Sequence, residues 1–178
     1  LIGLVFKFIF NERNGLFNFI LESLGLIDGP ISWLGDTGRS MIGPMVGMIW
    51  YGIPFFGIMI LAALQSISTD VIESARIDGA SSTGIFFRIM LPYIKPTILT
   101  TLLLRVIWVF NSSDMLYVMT DGGPAYSSST LPLYVFNQAF ASLDFGYGSA
   151  VGIFIMLLLT VYALIYLKVT KYHEAGDF

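Results

Sequence analysis

The sequence predicts an all-α integral membrane protein, and two observations support that prediction. Of the 178 residues, 56% are hydrophobic and 12% are charged, whereas a soluble domain usually carries about a quarter charged residues. The stretch from Ser40 to Thr69 contains no charged side chain and exceeds the roughly 20 apolar residues that a spanning helix needs. The sequence has no cysteine, which excludes disulfides, thiolate metal sites and thiol nucleophiles.

The apolar segments indicate a single transmembrane domain over residues 1–178. Residues 1–10 are expected to be the end of a spanning helix, and complete spans are predicted over 41–64, 97–119 and 145–167. The chain opens on Leu1 within an apolar segment, without a charged leader and a cleavage site. We therefore expect that an N-terminal part precedes these residues in the whole protein.

Two shorter helices are predicted between the spans. The apolar stripe from Leu16 to Ile27 is too short to span and is typical of a helix that lies at the membrane interface. Trp33 is expected to be an interfacial anchor. A second short helix is predicted to start with Thr130 as its N-cap and Pro132 near its first position. Its apolar side is expected to consist of Leu133, Phe136, Phe140 and Leu143.

A charged elbow over residues 70–95 separates the first two complete spans. Asp70 and Glu73 have the spacing of a capping box, which predicts a helix that starts at Asp70. Gly79 predicts the end of that helix, because glycine readily adopts the left-handed conformation that terminates helices. The elbow is therefore expected to contain a helix followed by a sharp glycine turn.

A second short helix is predicted after the glycine turn. It is expected to begin with Ser81 or Ser82 as its cap and to end at Pro92 and Pro96, where the chain re-enters the membrane. Its apolar side consists of Ile85, Phe86 and Ile89. The elbow is predicted to rest on lipid headgroups or to contact a protein partner. The acidic Glu73 and Asp78 favour a basic protein partner over the anionic inner leaflet.

The distribution of basic residues predicts the orientation of the chain. Basic residues occur in the elbow and in the tail, at Arg76, Arg88, Lys95, Lys168 and Lys171, whereas the opposite loops carry only Arg13 and Arg39. By the positive-inside rule, the elbow and the C-terminus are expected in the cytoplasm. The TDGGP segment is then expected outside.

The elbow resembles a known transport family. The spacing E-x-A-x(3)-G-x(9)-I-x-L-P is formed by Glu73, Ala75, Gly79, Ile89, Leu91 and Pro92, and it resembles the EAA signature of ABC-importer permease subunits. The flanking LAALQSIS and LPYIKP also match. Downstream, LLRVIWVFNSSDMLYVMTDGGP and DFGYGSAVG resemble the sugar branch of that family. The chain departs from the signature at Ser74, where a second alanine is usual.

The resemblance implies the fold, the location and the partners. The chain would be the C-terminal part of a six-span subunit with a type I permease helix bundle, in a prokaryotic inner or plasma membrane. The implied partners are a second homologous permease subunit, two cytoplasmic ATP-binding subunits, an extracytoplasmic substrate-binding protein and the lipid bilayer, but no nucleic acid. The implied ATPase-coupling residues are Glu73, Ala75, Asp78, Gly79, Ile85, Phe86, Ile89, Leu91 and Pro92.

Neither a nucleotide site nor a catalytic site is predicted in this chain. Residues Gly79 to Gly84 begin like a P-loop, but Ile85 and Phe86 replace the lysine and hydroxyl that contact phosphate and magnesium. ATP is therefore expected on a partner subunit, with no cofactor in this chain. No metal-ligand cluster or nucleophile–base pair is recognisable in the sequence, so the chain is not expected to be an enzyme.

A polar cluster inside the second predicted span is the candidate substrate pathway. It consists of Asn111, Ser112, Ser113 and Asp114, with Tyr117 nearby. A charge at the bilayer centre costs roughly 2.5–3.5 kcal/mol on insertion scales, so such residues usually face a cavity or a partner. On a continuous helix Asn111 and Asp114 would share one face. They are expected either to form hydrogen bonds between helices or, as the resemblance implies, to contact the hydroxyls of a passing sugar.

Alternative functions stay open at this stage. The same family includes permeases for other small polar solutes, such as amino acids or polyamines. An ion-coupled secondary transporter would require ion ligands at a broken helix near the middle of the membrane. A membrane enzyme is disfavoured because the sequence shows no recognisable set of catalytic residues.

Overall fold

A computed structural model describes residues 1–170 of the chain as helices joined by short loops. In chain order the α-helices are α1 (Ile2–Ile9), α2 (Leu16–Ser23), α3 (Ile42–Gln65), α4 (Thr69–Ile77), α5 (Ser82–Ile85), α6 (Leu91–Asn111), α7 (Asp114–Met119), α8 (Leu131–Phe136) and α9 (Phe145–Val169). Two π-helical turns, Phe86–Met90 and Asn137–Ala141, follow α5 and α8. Residues 1–170 contain no strand, so the all-α prediction is confirmed.

Three helices in the described part of the chain are long and apolar enough to cross a membrane. They are α3, the continuous helix Ser82–Asn111 and α9. The first and last lie close to the predicted spans 41–64 and 145–167. The middle helix has 30 residues and joins α5, the first π turn and α6 without interruption. At 1.5 Å per residue it is about 45 Å long, more than the bilayer core requires.

The predicted limits of the middle span were wrong at both ends. Pro92 and Pro96 were expected to end the elbow helix, yet both lie inside the continuous helix. Proline removes one backbone donor, and membrane helices tolerate this where local adjustments satisfy the freed groups. The carbonyl that loses its usual donor at Pro96 is that of Pro92, four residues earlier. The Thr100 hydroxyl donates to the carbonyl of Pro96 itself, at 2.9 Å. At its other end the helix stops at Asn111 instead of continuing to Met119.

The chain divides into two compact units, and the first comprises Leu1–Tyr51 and Trp108–Leu158. Its core is made by α1 against α7, where Phe6, Phe10, Met115 and Met119 are buried together. Glycine also lets α3 approach this core closely, since a Cβ on Gly47 of α3 would lie 2.8 Å from the sulfur of Met115. The packing fixes the position of α7, which follows the polar cluster.

A buried amide organises the segment around α2. Asn18 is 4% exposed, and its side-chain nitrogen donates to the carbonyls of Glu12 and Ile31, both at 2.9 Å. Its side-chain oxygen accepts from the indole nitrogen of Trp33 at 2.7 Å. Trp33 also packs against Phe17, with ring centroids 5.0 Å apart. Trp33 therefore supports the first unit through a hydrogen bond and a ring contact.

The second unit comprises Gly52–Ile107 and, among the described residues, 159–170. The guanidinium of Arg105 lies against Gly52, where a Cβ would come within 2.8 Å of Nη2. The arginine inside the second span is thus accommodated by a glycine on α3. The Tyr166 hydroxyl of α9 donates to the Leu99 carbonyl of α6 at 2.9 Å, which joins these two helices.

The turn between α1 and α2 provides a stability test. A Cβ on Gly15 would lie 2.5 Å from the Ile9 carbonyl oxygen and closer still to that of Asn11, so Gly15→Ala requires the backbone to move. We expect this substitution to lower the free energy of unfolding by about 2 kcal/mol, at the scale of overpacking. Thermal unfolding of the purified protein in detergent measures the change.

Gly29→Ala is the matched control for Gly15→Ala. No atom lies within 4 Å of a Cβ built on Gly29, so its thermal midpoint should stay near that of the unsubstituted protein. Equal midpoints for the two variants would contradict the steric argument.

Candidate functional site

The elbow begins with a capped helix whose cap differs from the predicted one. The hydroxyl of Ser68 accepts from the Asp70 backbone N–H at 3.3 Å, and Ser68 has the extended conformation of an N-cap. The prediction that Asp70 is the N-cap was therefore wrong by two residues. Asp70 lies in the first turn of α4, where a carboxylate is favourable near the positive end of the helix dipole.

Gly79 ends α4, as the sequence predicts. Its φ is +80°, in the left-handed region that disfavours other residues. The Gly79 N–H donates to the Arg76 carbonyl and the Ala80 N–H to the Ala75 carbonyl, both at 3.0 Å. These two bonds form a Schellman motif. No atom lies within 4 Å of a Cβ at Gly79, so backbone conformation rather than space requires glycine here.

Ser81 starts the second elbow helix and resolves the choice between Ser81 and Ser82. Its hydroxyl accepts from the Gly84 N–H at 3.2 Å. The chain then passes through the π turn Phe86–Met90, where the Leu91 N–H donates to the Phe86 carbonyl. Single π turns inside helices are frequent at functional sites. The second elbow helix is consequently continuous with the membrane-spanning helix.

The elbow presents an exposed surface with apolar residues. No residue of α4 is buried, and Ile77 is 86% exposed. Phe86 and Phe87 are both exposed, with their rings in edge-to-face contact at 5.0 Å. Ile85, by contrast, is only 4% exposed. The predicted apolar side is thus partly buried, at Ile85, and partly exposed, at Phe86. Phe87 is also exposed, although helical spacing did not predict it on this side.

The other predicted coupling residues differ in accessibility. Glu73, Asp78 and Gly79 are exposed, whereas Ala75, Ile89, Leu91 and Pro92 are half-buried. Ser74, which departs from the signature, is exposed as well. Its hydroxyl is therefore open to solvent, and the departure buries no polar group. The role of these residues in coupling stays a prediction.

The polar cluster lies at a break between two helices. α6 ends at Asn111, Ser112 and Ser113 are not helical, and α7 begins at Asp114. The prediction that Asn111 and Asp114 share a face of one helix was therefore wrong. Side chains of Asn and Ser compete for backbone hydrogen bonds and so disfavour helix interiors. The Ser112 hydroxyl donates to the Asp114 carboxylate at 2.9 Å.

A cleft of about 290 Å³ lies beside this break, within the first unit. Asn111 and Ser113 contribute polar groups to it, and the other lining residues are Pro132, Val135, Phe136, Ala139, Phe140, Gly152 and Ile155. Ser112, Asp114 and Tyr117 are not among its lining residues. Tyr117 instead supports the aromatic wall, because its ring lies 5.0 Å from that of Phe136.

The aromatic wall of the cleft comes from α8 and the π turn after it. Phe136 and Phe140 have ring centroids 4.9 Å apart. Leu133 is fully buried, whereas Leu143 is 70% exposed and has a positive φ. The expectation that these four residues form one continuous side was therefore wrong, because the π turn changes the helical register. Thr130 is the N-cap, as predicted, but no side-chain capping bond forms.

The segment of residues 120–130, called the outer loop below, contains features that the TDGGP pattern alone does not predict. Gly122 has a positive φ of 79°, whereas Gly123 does not. Ser128 is fully buried, and its hydroxyl contacts Thr120 Oγ1 at 2.7 Å and the Gly123 carbonyl at 2.8 Å. Three consecutive serines, Ser127, Ser128 and Ser129, are the sequence signal of such a network.

Comparison with known proteins identifies the family. Residues 1–171 match the family described as binding-protein-dependent transport system inner membrane component. The chain belongs to this family. It is 36% identical over 168 residues to the trehalose/maltose transport system permease protein MalF of Thermococcus litoralis, covering 94% of this chain and 56% of that protein. Identity to the sulfoquinovosyl glycerol transport system permease protein SmoG of Agrobacterium fabrum is 35%, covering 95% of this chain and 54% of the relative.

Solved structures agree with this family and confirm the predicted fold. A bacterial alginate ABC transporter, solved in complex with an alginate pentasaccharide-bound periplasmic protein, matches with a TM-score of 0.83 at 22% identity, covering 99% of this chain and 60% of that one. A second structure of an alginate importer matches with a TM-score of 0.80 at 25% identity, covering 96% and 59%. The chain spans about half the length of the curated relatives described above.

The cleft can be tested by cysteine labelling, because the sequence contains no cysteine of its own. We expect Ser113→Cys to react rapidly with a small charged thiosulfonate reagent, since Ser113 lines the cleft. The matched control is Leu116→Cys, at a side chain that is 3% exposed. Reaction rates measured in membranes should differ by about tenfold or more, as buried thiols are inert. Equal rates would contradict the presence of an open cleft.

Proposed function

We propose that the whole protein is the transmembrane permease subunit of an ATP-driven importer for a sugar or related polyol. The observation that carries this proposal is the exposed elbow, in which α4, the Gly79 turn and α5 continue directly into a membrane-spanning helix. The family match supports the transport class. The chain itself would do no chemistry and would transmit motion from an ATPase partner.

The elbow is suited to receive force from a partner. No residue of its first helix is fully buried, so little of that helix is held by this chain. Glu73 and Asp78 are exposed carboxylates that fit basic residues on a partner, and Phe86 and Phe87 fit an apolar groove. We place the ATPase contact on these side chains. Ile85, buried in this chain, would support the elbow from within.

The continuous helix Ser82–Asn111 supports the coupling of the elbow to the substrate pathway. Because it is one helix, a displacement of the elbow is carried along the span without a loop that absorbs it. Asn111, the last residue of that helix, lines the cleft. We propose that movement of the docked elbow changes access to this cleft.

The chemistry of the cleft favours a polyhydroxylated substrate. The Asn111 amide and the Ser113 hydroxyl can exchange hydrogen bonds with sugar hydroxyls, and Phe136 and Phe140 offer ring faces to apolar C–H groups. The names of the relatives point the same way, since they transport trehalose and maltose or sulfoquinovosyl glycerol. A third relative, from Streptococcus mutans, is a multiple sugar-binding transport system permease.

The partners belong to the same proposal. They are a second homologous permease, two cytoplasmic ATP-binding subunits that hold the nucleotide, and an extracytoplasmic binding protein, as in the alginate transporter solved with its periplasmic protein. The elbow would face the cytoplasm, because it carries Arg76, Arg88 and Lys95. The predicted cytoplasmic C-terminus includes Lys171, which lies outside the described residues.

Substitutions in the elbow test the coupling function. We expect Gly79→Val to uncouple transport, because valine in the left-handed conformation costs about 1–2 kcal/mol and would distort the turn. Glu73→Lys should reduce copurification of the ATPase subunit about tenfold through like-charge contacts. Uptake of radiolabelled sugar and ATPase copurification are the measurements.

Gly79→Asn is the control for the turn, because asparagine tolerates the left-handed region, and it should retain most transport. Both damaging variants should still insert into the membrane. Normal uptake by Gly79→Val and Glu73→Lys would refute the coupling role of the elbow.

Substitution in the cleft tests the substrate pathway. Asn111→Leu removes an amide that lines the cleft, and we expect sugar uptake to fall about tenfold, at the scale of one lost hydrogen bond to a polar partner. ATPase copurification should not change. Ser112→Ala is the matched control, since Ser112 contacts Asp114 rather than the cleft. Equal uptake by these two variants would count against a pathway through Asn111.

A further inference from the structure

We propose that Tyr126 is a preformed aromatic anchor on which the soluble substrate-binding protein docks. This inference rests on the proposed function, because it names the contact made by one of the proposed partners. It concerns the outer loop (residues 120–130), which lies in the chain between the spans that end at Asn111 and begin at Phe145. The backbone conformation, internal support, exposure and charge of this loop support the proposal.

The backbone holds Tyr126 in a conformation that its side chain disfavours. Ala125 and Tyr126 have φ angles of 48° and 62°, so two consecutive residues other than glycine lie in the left-handed region. Bulky residues rarely adopt this region. Such outliers persist only where the surroundings enforce them, and they cluster at functional sites. The loop therefore positions the tyrosine at a cost in backbone energy.

Serine hydroxyls supply that enforcement from beneath the loop. Ser127 Oγ donates to the Pro124 carbonyl at 2.6 Å and lies 2.8 Å from Ser40 Oγ, which is then the donor in their contact. Ser40 and Ser128 are both fully buried. The Ser129 N–H donates to the Tyr126 carbonyl at 3.0 Å. The backbone of the loop is thus held by hydrogen bonds on either side of Tyr126 and at its carbonyl.

The ring at the tip is presented to the surroundings. Tyr126 is 83% exposed, although the backbone on either side of it is fixed. Tyrosine is enriched at protein interfaces, where it buries a large area and loses little conformational entropy. A protruding ring on a rigid loop fits a concave site on a partner better than it fits a small solute, which needs an enclosing pocket.

Charge favours a soluble protein over lipid as the occupant. From Val106 to Leu167 the sequence contains no lysine or arginine, whereas Asp114, Asp121 and Asp144 are acidic. An acidic segment is repelled by anionic headgroups, and surfaces that bind them are basic. Asp121, which is exposed in the same loop, would meet a lysine or arginine on the partner. The occupant is therefore a soluble protein with a concave, basic docking face.

The test uses the complete assembly in nanodiscs with the soluble binding protein that supports its transport. Tyr126→Asn removes the ring but suits the left-handed backbone, so the loop should keep its fold. The concentration of binding protein that half-maximally stimulates ATP hydrolysis should rise about tenfold or more, as for an interface hot spot. Basal hydrolysis should not change, and Tyr126→Phe, which keeps the ring, should behave almost like the unsubstituted protein. Asp121→Asn should weaken the dependence of the midpoint on salt.

An unchanged midpoint for Tyr126→Asn, in an assembly that the binding protein does stimulate, would overturn the anchor while leaving the proposed function intact. An unsubstituted assembly that shows no stimulation would overturn both. A photocrosslinking residue in place of Tyr126 distinguishes the occupants directly. Capture of the binding protein supports the proposal, and capture of only lipid or the second permease refutes it.

Discussion

The helix from Ser82 to Asn111 must keep its backbone hydrogen bonds across a bilayer, and the elbow and the cleft both depend on this constraint. Lipid offers no partner to an unpaired N–H or C=O, so a break within the span would be costly. The helix passes through Pro92 and Pro96 without such a break, and the Thr100 hydroxyl donates to the carbonyl of Pro96 itself. The first irregular backbone after α5 and its π turn therefore occurs at Ser112 and Ser113, where polar side chains are available.

The elements that adjoin the two ends of this helix differ in how tightly they pack against the rest of the chain. At the elbow end, the Schellman turn at Gly79 reverses the chain and leaves α4 exposed. At the other end, α7 is fixed by the packing of Met115 and Met119 against α1. One end thus provides a surface with few contacts to its own chain, whereas the other adjoins a packed core. This difference suits a subunit in which motion at the elbow alters a polar cleft.

The sequence predicts much of the fold, because apolar length and glycine conformation are local properties. The spans near α3 and α9, the stop at Gly79 and the family signature around Glu73 could all be predicted. Local rules failed where several residues compete for one role. Ser68 caps α4 although Asp70 also has a suitable side chain. The helix Ser82–Asn111 continues through two prolines that local rules predict to end a helix. The break after Asn111 and the bonding of Ser128 depend on tertiary contacts, which periodicity does not reveal.

The π turn Phe86–Met90 has a consequence for the direction in which the elbow faces. A π turn holds one residue more than an α-helical turn, and each residue of an α-helix rotates the chain by about 100°. The extra residue therefore sets the azimuth of Gly79 and Phe86 about the axis of the span. A family member that loses or gains one residue in this turn would point the elbow away from its former neighbour. Length variation between Ser81 and Leu91 should accordingly be accompanied by a rearranged contact surface on the partner subunit proposed above.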